Sequence, residues 1–574
     1  MCERITGSEA IMRCLVSEGV DRIFGYPGGS IMPVYDKLYD YSDKLLHILA
    51  RHEQGAIHMA QGYARATGKI GVVVATSGPG AMNLITGIAD AHIDSTPLVV
   101  ITGQVGTDVL GTDAFQETDM IDVANPICKW GIQVRDAQEI PDILARAFYI
   151  AGTGRPGPVV IDLPKTAQVG KMDWNYKKCN FIRTYVPRPE INQYILSKAA
   201  ALLNTAERPL ILAGHGVTIA GAERVLAELA EKADIPVAST LLGLSALPSS
   251  HRLNVGMLGM HGNIAPNVAT NKADVILAVG MRFDDRVVGK LSEYAPNAKI
   301  IHIDIDASEI KRIVPTEVEI HGDAYDALKE LLVLVNESSR PEWISFFSKI
   351  QKKETEKVVD KYLKRPEGSK LGMAETVRTV SEAVNDDAIL VTDVGQNQMF
   401  AAKYFRFSSP RSIITSGGLG TMGFGIPASI GAKMGRPERQ VCLFCGDGGF
   451  QMTCQELGTI MEYGTAVKIV ILNNNYLGNV RQWQELFFNK RYSNTFLLSP
   501  DFVMLAKSYG IEAENVENRE QLSGAVKRMI ESDKPYILNV NIDPNDNVFP
   551  MIPLGSPVDK ILLNKDEYFD LLHL

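Results

Sequence analysis

The chain has 574 residues, with 58 Lys and Arg against 67 Asp and Glu, a formal charge of −9, and 45% hydrophobic residues. This length implies about three or four domains, each large enough to bury its own core. The acidic balance, with no basic block and no interleaving of aromatic and basic residues, argues against nucleic acid as a partner, and no apolar run reaches membrane-spanning length.

The N-terminus, Met1-Cys-Glu-Arg-Ile-Thr-Gly-Ser8, lacks the basic-then-apolar pattern of a signal peptide and passes into a helix-like segment, so a cytoplasmic location is expected. Seven cysteines, an odd number spread over such a length, argue for reduced thiols and against a disulfide framework. Up to about Lys165, apolar runs alternate with glycine turns and helical segments. The runs Arg22–Gly25, Gly71–Ala75, Pro97–Ile101 and Pro158–Asp162 are predicted strands of a doubly wound α/β domain. Turns at Gly25–Gly29, Ser77–Gly80 and Gly103–Gln104 fall at the strand ends, where open sheets bind ligands. Glu53 stands at the start of a predicted helix, where the helix dipole alone would stabilise a carboxylate. His52-Glu53 does not begin a zinc-protease helix, because that pattern needs His at position 56, which is Ala.

Residues 166–190, with Pro187 and Pro189, break the rhythm and read as a linker. A second α/β region, 191–337, has predicted strands Pro209–Ala213, Asp274–Val279 and Lys299–Ile303. They are followed by Gly214-His-Gly216, by Gly280–Arg286 and by Asp304. Glycines at strand ends admit a nucleotide diphosphate, and an acid there can accept ribose hydroxyls. Without a complete Gly-x-Gly-x-x-Gly, the same residues read equally well as plain glycine turns. Residues 338–370 turn charged and read as a second linker carrying a solvated helix.

The third region, 371–574, has predicted strands Ala388–Val391, Val441–Cys445, Lys468–Leu472 and Tyr536–Val540. Two of these carry the most specific chemistry. Val441–Cys445 ends in Gly446-Asp447-Gly448, and Lys468–Leu472 ends in Asn473-Asn474, with 24 residues between Gly448 and Asn473. That gap holds one crossover helix, expected over Gln451–Tyr463, so Asp447 and Asn474 belong to one right-handed βαβ unit and can converge on one cation. Mg²⁺ takes carboxylate, amide and carbonyl oxygens and keeps phosphate oxygens as further ligands, so a diphosphate cofactor is implied. Cys442 and Cys445 lie inside the strand and not at a helix N-terminus, and read as buried structural thiols. Gly418-Leu-Gly-Thr-Met-Gly423 fits a dinucleotide fingerprint, a weak signal by itself.

Gly446-Asp447-Gly448, the 24-residue gap and Asn473-Asn474 resemble the signature of thiamine diphosphate enzymes. The resemblance implies that Asp447, Asn474 and the carbonyl of Tyr476 hold Mg²⁺. Arg51-His-Glu-Gln-Gly-Ala56 resembles the segment that supplies the family's glutamate. There Glu53 would bond N1′ of the aminopyrimidine and favour the imino form whose N4′ removes the thiazolium C2 proton. In that family the glutamate and the metal site facing it come from different chains, which implies at least a homodimer.

Phe24-Gly-Tyr-Pro-Gly-Gly29, Gly111-Thr-Asp-Ala-Phe-Gln-Glu117 and Asp162-Leu-Pro-Lys165 narrow the resemblance to the acetohydroxyacid synthases, also called acetolactate synthases. It implies three doubly wound parallel-sheet domains: pyrimidine-binding (1–165), FAD-binding (191–337) and diphosphate-binding (371–574). It places Gln116 and Gly29 near the reacting carbonyl, with Phe115 and Lys165 in the substrate access region, although Lys165 also reads as a solvated domain-end residue. Gln396, Asn397, Gly420, Met422, Gly446 and Gly448 would contact thiamine diphosphate; Met422 also reads as a buried methionine before a helix. Arg155, Gly214, Gly216, Gly259, His261, Gly280, Arg282, Asp304 and Asp323 match positions expected to contact FAD. Arg286 and Trp483 would bind the second 2-keto acid, a planar guanidinium suiting its carboxylate. Two positions depart from the family pattern: Asn397 stands for His in Gly395-Gln-Asn-Gln398, and Asn479 for Met in Leu477-Gly-Asn-Val480.

The implied reaction joins pyruvate, with loss of CO₂, to a second pyruvate or to 2-ketobutyrate, on the way to valine, leucine and isoleucine. A separate small regulatory subunit would have to supply any feedback control. Competing readings are another thiamine diphosphate enzyme, such as pyruvate oxidase or a 2-keto acid decarboxylase, and a catalytically silent nucleotide-binding scaffold. The intact set Glu53, Asp447 and Asn474 argues against silence.

Overall fold

The computed structural model describes residues 3–570, so Cys2 lies outside the described residues. Continuous apolar runs such as Val72–Ala75, Leu210–Ala213 and Ile469–Leu472 are buried on both faces, as parallel strands covered by helices must be. They build three sheets, each six-stranded and parallel.

The first sheet runs Leu46–Leu49, Arg22–Gly25, Gly71–Ala75, Leu98–Gln104, Pro158–Pro164, Trp130–Gln133 in space. The last sheet repeats this order with Ile413–Ile414, Ile389–Thr392, Val441–Gly446, Lys468–Asn473, Tyr536–Asn541 and Glu512–Val516. In both, the order reverses between the second and third strands in space, which opens a crevice at their C-terminal ends. The central sheet runs Asn254–Met257, Val237–Ser239, Pro209–Ala213, Val275–Val279, Lys299–Asp304, Val318–His321. Numbered within its domain this is 3-2-1-4-5-6, the order of dinucleotide-binding sheets.

The first and third domains meet through helices Glu53–Thr67 and Gly425–Gly435. A Cβ on Gly62 would lie 2.0 Å from the Ala428 carbonyl oxygen, and one on Gly431 only 1.8 Å from that of Met59. Backbone thus meets backbone, and only glycine fits. Gly431→Val is expected to destabilise the protein by about 3 kcal/mol through overpacking, read as a drop in Tm. A Tm equal to that of the parent would contradict this contact. A buried ion pair, Arg65 Nη2 to Asp94 Oδ2 at 2.8 Å, flanks the junction.

Three sequence-based expectations need correction. The crossover helix expected over Gln451–Tyr463 starts earlier, as Asp447–Thr453, because Gly446 is extended and Asp447 is an acidic first-turn residue. It is broken by the tighter turn Cys454–Glu456 before resuming as Leu457–Tyr463. The stretch 166–190 is partly folded: Lys171–Asp173 pairs antiparallel with Arg4–Thr6. The stretch 338–370 is not a solvated spacer. Trp343, Phe347 and Ile350 share one face of helix Pro341–Glu354 and are buried, and Trp343 Nε1 donates to the Pro209 carbonyl at 2.8 Å.

Candidate active site

At the crevice of the first sheet, Gly28 faces the end of strand Gly71–Ala75, and Gly29 opens the short turn Gly29–Ile31 with open space where its Cβ would be. A Cβ on Gly28 would sit 2.5 Å from the Thr76 side chain, and Ser30 N donates to Thr76 Oγ1 at 3.2 Å. Glu53 is the first residue of its helix, whose N-cap His52 accepts from Gln54 N at 3.1 Å. The half-buried Glu53 carboxylate accepts from Asn83 Nδ2 at 2.9 Å, and a Cβ on Gly80 would lie 3.2 Å from its Oε1. Gln116 has a left-handed backbone, φ 61°, and its main chain lies within 3.0 Å of where a Gly78 Cβ would be. Glu53 and Gln116 therefore approach the same short segment, 78–83. Lys165 begins helix Lys165–Val169 and is exposed, as is Phe115.

The crevice of the third sheet holds the second group. Asp447 and Asn474 are both buried. Asp447 Oδ2 accepts from Ser499 Oγ at 3.0 Å, while Oδ1 is buried without a partner. Burial pushes the Asp447 carboxyl up to about 6. Asn474 Oδ1 accepts from Tyr476 N at 3.0 Å, and its Nδ2 donates to Gln396 Oε1 at 3.4 Å. Gln396 in turn donates to Gln482 Oε1 at 2.9 Å. A Cβ on Gly446 would lie 3.6 Å from Asn397 Nδ2, and one on Gly448 would lie 3.7 Å from Met422 Cε. These contacts bring Asn397, Met422 and the Asp447 turn together.

An orphaned, buried carboxylate oxygen beside an amide oxygen fits a hard cation that completes its shell with phosphate oxygens. Among the described residues no group of three or more His, Cys, Asp or Glu could hold a metal by itself. Further oxygens would therefore have to come from amides, carbonyls or a phosphate ligand.

The central domain opens onto a cavity of about 610 Å³. Arg155, Gly216, Gly259, His261, Gly280, Arg282, Asp304 and Asp323 all line it. Gly214 does not; it backs onto Gly280, where a Cβ would meet the carbonyl oxygen at 2.2 Å. Gly216 and Gly280 approach so closely that a Cβ on either would lie within 2.6 Å of the other's Cα. Arg155 pairs with Glu309 at 2.7 Å and donates to Ser95 Oγ at 2.9 Å. Burial raises Asp304 to about 7, and burial with the Lys403 charge lowers His261 to about 4. Asp323 caps helix Ala324–Leu334.

Gly395, Gly420, Asn479, Arg286 and Trp483 line the same cavity, so it runs toward the diphosphate crevice. Arg286 Nη1 lies 3.7 Å from Met260 Sδ, and Trp483 packs on the cluster of Met260, Phe549, Met551 and Leu562. Met260 thus touches Arg286 and belongs to the cluster on which Trp483 packs. None of Glu53, Gln116, Gly29 or Lys165 lines this cavity.

Comparison with known proteins matches residues 5–123 to the N-terminal TPP binding domain of thiamine pyrophosphate enzymes. Residues 196–331 match their central domain and 393–540 their C-terminal TPP binding domain. The acetolactate synthase large subunit of Lactococcus lactis is 45% identical over 560 residues, covering 97% of this chain and 96% of that one. A probable acetolactate synthase large subunit of Methanocaldococcus jannaschii is 46% identical over 565 residues, covering 97% and 95%. The isozyme 3 large subunit of Escherichia coli is 41% identical over 575 residues, covering 98% and 100%. The chain belongs to the acetolactate synthase large-subunit family. As a member of that family it is a thiamine pyrophosphate enzyme built from three α/β domains.

Several residues that shape this family site escaped the sequence reading. Asp393 is buried, and its carboxylate accepts from Gly423 N at 3.0 Å and Gly425 N at 2.9 Å, which fixes the turn that carries Met422. Asp94 accepts from Gly417 N at 2.9 Å and Gly418 N at 2.7 Å, and Asp90 accepts from Thr421 Oγ1 at 3.0 Å. The apparent dinucleotide fingerprint at 418–423 therefore spends its amides on buried carboxylates. The available signal was an Asp directly after an apolar run, at Asp393.

Asp304 gives a pH prediction. Its folded pKa, about 7, lies above its ordinary value of 3.8, so the fold favours the neutral acid. Stability from this group is fully present below about pH 4 and is lost as pH rises through 7. Asp304→Asn keeps an acceptor for Asp306 N and removes the charge. Without bound ligand, the variant is expected to be more stable than the parent at pH 8 by on the order of 2 to 4 kcal/mol, with the gap closing near pH 4. Thermal melts at the two pH values test this, and a gap that is the same at both would reject it.

Proposed function

We infer that this chain is an acetolactate synthase. It condenses pyruvate, with loss of CO₂, with a second pyruvate or 2-ketobutyrate, giving 2-acetolactate or 2-aceto-2-hydroxybutyrate for branched-chain amino acid synthesis. The observation that carries the reading is the orphaned Asp447 Oδ1 at the end of a strand paired with the one that Asn474 follows, in a chain related to acetolactate synthase large subunits along nearly its whole length. Thiamine diphosphate, when bound, supplies the carbon nucleophile and delocalises the charge left by decarboxylation.

The chain's own residues do the rest. Asp447, Asn474 and the Tyr476 carbonyl would hold Mg²⁺ with the diphosphate, and Gln396, Asn397, Gly446, Gly448, Met422 and Gly420 would contact the cofactor. Glu53 holds a proton at the aminopyrimidine N1′. Gln116 and Gly29 lie at the reacting carbonyl and Lys165 at the entrance. Arg286 binds the carboxylate of the second 2-keto acid and Trp483 selects its side chain. FAD occupies the central cavity, a reading supported by the 3-2-1-4-5-6 strand order and by Asp304 at a strand end. The working site is read as completed by a second copy, as a homodimer, a reading supported by Glu53 lying outside the cavity that Arg286 and Trp483 line. Any feedback control would come from a separate small chain. The domain limits 1–165, 191–337 and 371–574 accompany this reading, with a cytoplasmic location.

Acetolactate formation from pyruvate, with and without thiamine diphosphate and Mg²⁺, tests the function. Acetaldehyde or acetyl phosphate as the main product would favour a decarboxylase or a pyruvate oxidase. A colourless protein that takes up no added FAD would remove the flavin.

A further inference from the structure

Building on the role given to Glu53 above, we propose that Glu456 is a positioning residue for the reaction: its carboxylate, reaching from the third domain into the first, sets where Glu53 stands. Glu456 ends the tight turn that interrupts the helical run begun by Asp447, and it is wholly buried. Its Oε1 accepts from Arg51 N at 3.0 Å and His52 N at 3.1 Å. Its Oε2 accepts from Arg51 N at 3.1 Å and from Thr459 Oγ1 at 2.7 Å.

These two amides immediately precede Glu53 in the chain. They lie outside the helix that Glu53 opens, whose cap is His52, so Glu456 is no substitute for an ordinary N-cap. Gly55 makes room for it: a Cβ there would stand 2.1 Å from Glu456 Oε1. The same helix face holds the preceding residues. Leu49 N donates to Tyr463 Oη at 3.0 Å, and Arg51 Nη2 donates to Glu462 Oε2 at 2.6 Å and to the Gly458 carbonyl at 3.1 Å. The backbone amides of 49, 51 and 52 are thus tied to 456–463, while Ala50 N donates to the Gly25 carbonyl at 3.2 Å, and Glu53 follows directly. In the proposed dimer, the run that starts at the cation ligand of one site ends by holding the carboxylate that serves the other.

The test uses the full-length enzyme loaded with thiamine diphosphate, Mg²⁺ and FAD. Displacement of a reacting group by about 1 Å can lower a rate by about 10²-fold, so Glu456→Ala is expected to lower kcat by about 10- to 100-fold. The Kd for thiamine diphosphate, read by calorimetry, is expected to stay within about threefold, since the diphosphate crevice is untouched. Glu456→Gln keeps one acceptor oxygen for the two amides and should recover kcat to within about fivefold of the parent. In a Glu53→Gln background, Glu456→Ala should cause no further loss.

A kcat for Glu456→Ala within twofold of the parent overturns the proposal. So does a loss that only tracks cofactor affinity or folded fraction, or losses that multiply in the double variant. If the Ala variant does not fold, Gly55→Ala, which pushes the carboxylate off its amides, decides in its place: kcat must fall at least about tenfold, and an unchanged kcat overturns the assignment. Failure of the parent to make acetolactate would overturn the functional reading instead, which separates the two.

Discussion

Glu53→Gln is expected to lower kcat by about 10² to 10⁴-fold, the range that a positioned proton-transfer group contributes, while leaving the fold intact. Gln has the same shape and keeps an oxygen to accept from Asn83 Nδ2, which now donates to Glu53 Oε2 at 2.9 Å. What it loses is the ability to hold a proton shared with the aminopyrimidine nitrogen. Thiamine diphosphate should still bind, because the diphosphate anchors proposed for it are at Asp447 and Asn474. Steady-state acetolactate formation with calorimetric cofactor binding separates the two effects. Activity within threefold of the parent would remove Glu53 from the mechanism.

Asp447→Ala should abolish the response to Mg²⁺ and lower activity at least 10²-fold, since the cation would lose the carboxylate ligand proposed for it. Without cofactor, the same change should leave the protein as stable as the parent or more so at neutral pH. The parent holds a buried carboxylate with one oxygen unpartnered and its pKa raised to about 6, so its charge there works against the fold. For the parent, Mg²⁺ with thiamine diphosphate at 100 times Kd should add about 2.7 kcal/mol of stability, and the variant should gain none. Melts with and without ligands test both halves. A variant still stabilised by Mg²⁺ and thiamine diphosphate would move the cation elsewhere.

The strands legible in the sequence were those inside the sheets. Val441–Gly446 and Pro209–Ala213 are buried by neighbours on both sides and by helices on both faces, so their apolar runs are unbroken. Edge strands were missed for the converse reason: Glu512–Val516 is half polar, and Ile413–Ile414 is two residues long. The cation crevice was legible because its ligands follow directly on two such interior strands. Glu456, Asp393 and Asp94 were not. Each acts on backbone amides far away in the chain, and a carboxylate that binds amides leaves no pattern in its own neighbourhood. The helix at 341–354 was misread because its charged residues dominate the composition, although Trp343, Phe347 and Ile350 recur at helical spacing.

The glycine contact between Glu53–Thr67 and Gly425–Gly435 also bears on how the chain is made. The first helix leaves the ribosome roughly 360 residues ahead of the second, a delay on the order of 20 to 70 s at ordinary synthesis rates. Throughout that interval the helix face of Met59 and Gly62 lacks the Gly431 and Ala428 backbone against which it packs in the folded chain. A nascent chain arrested before residue 425 is therefore expected to be captured by chaperones through this face, and release is expected only once the third domain has emerged.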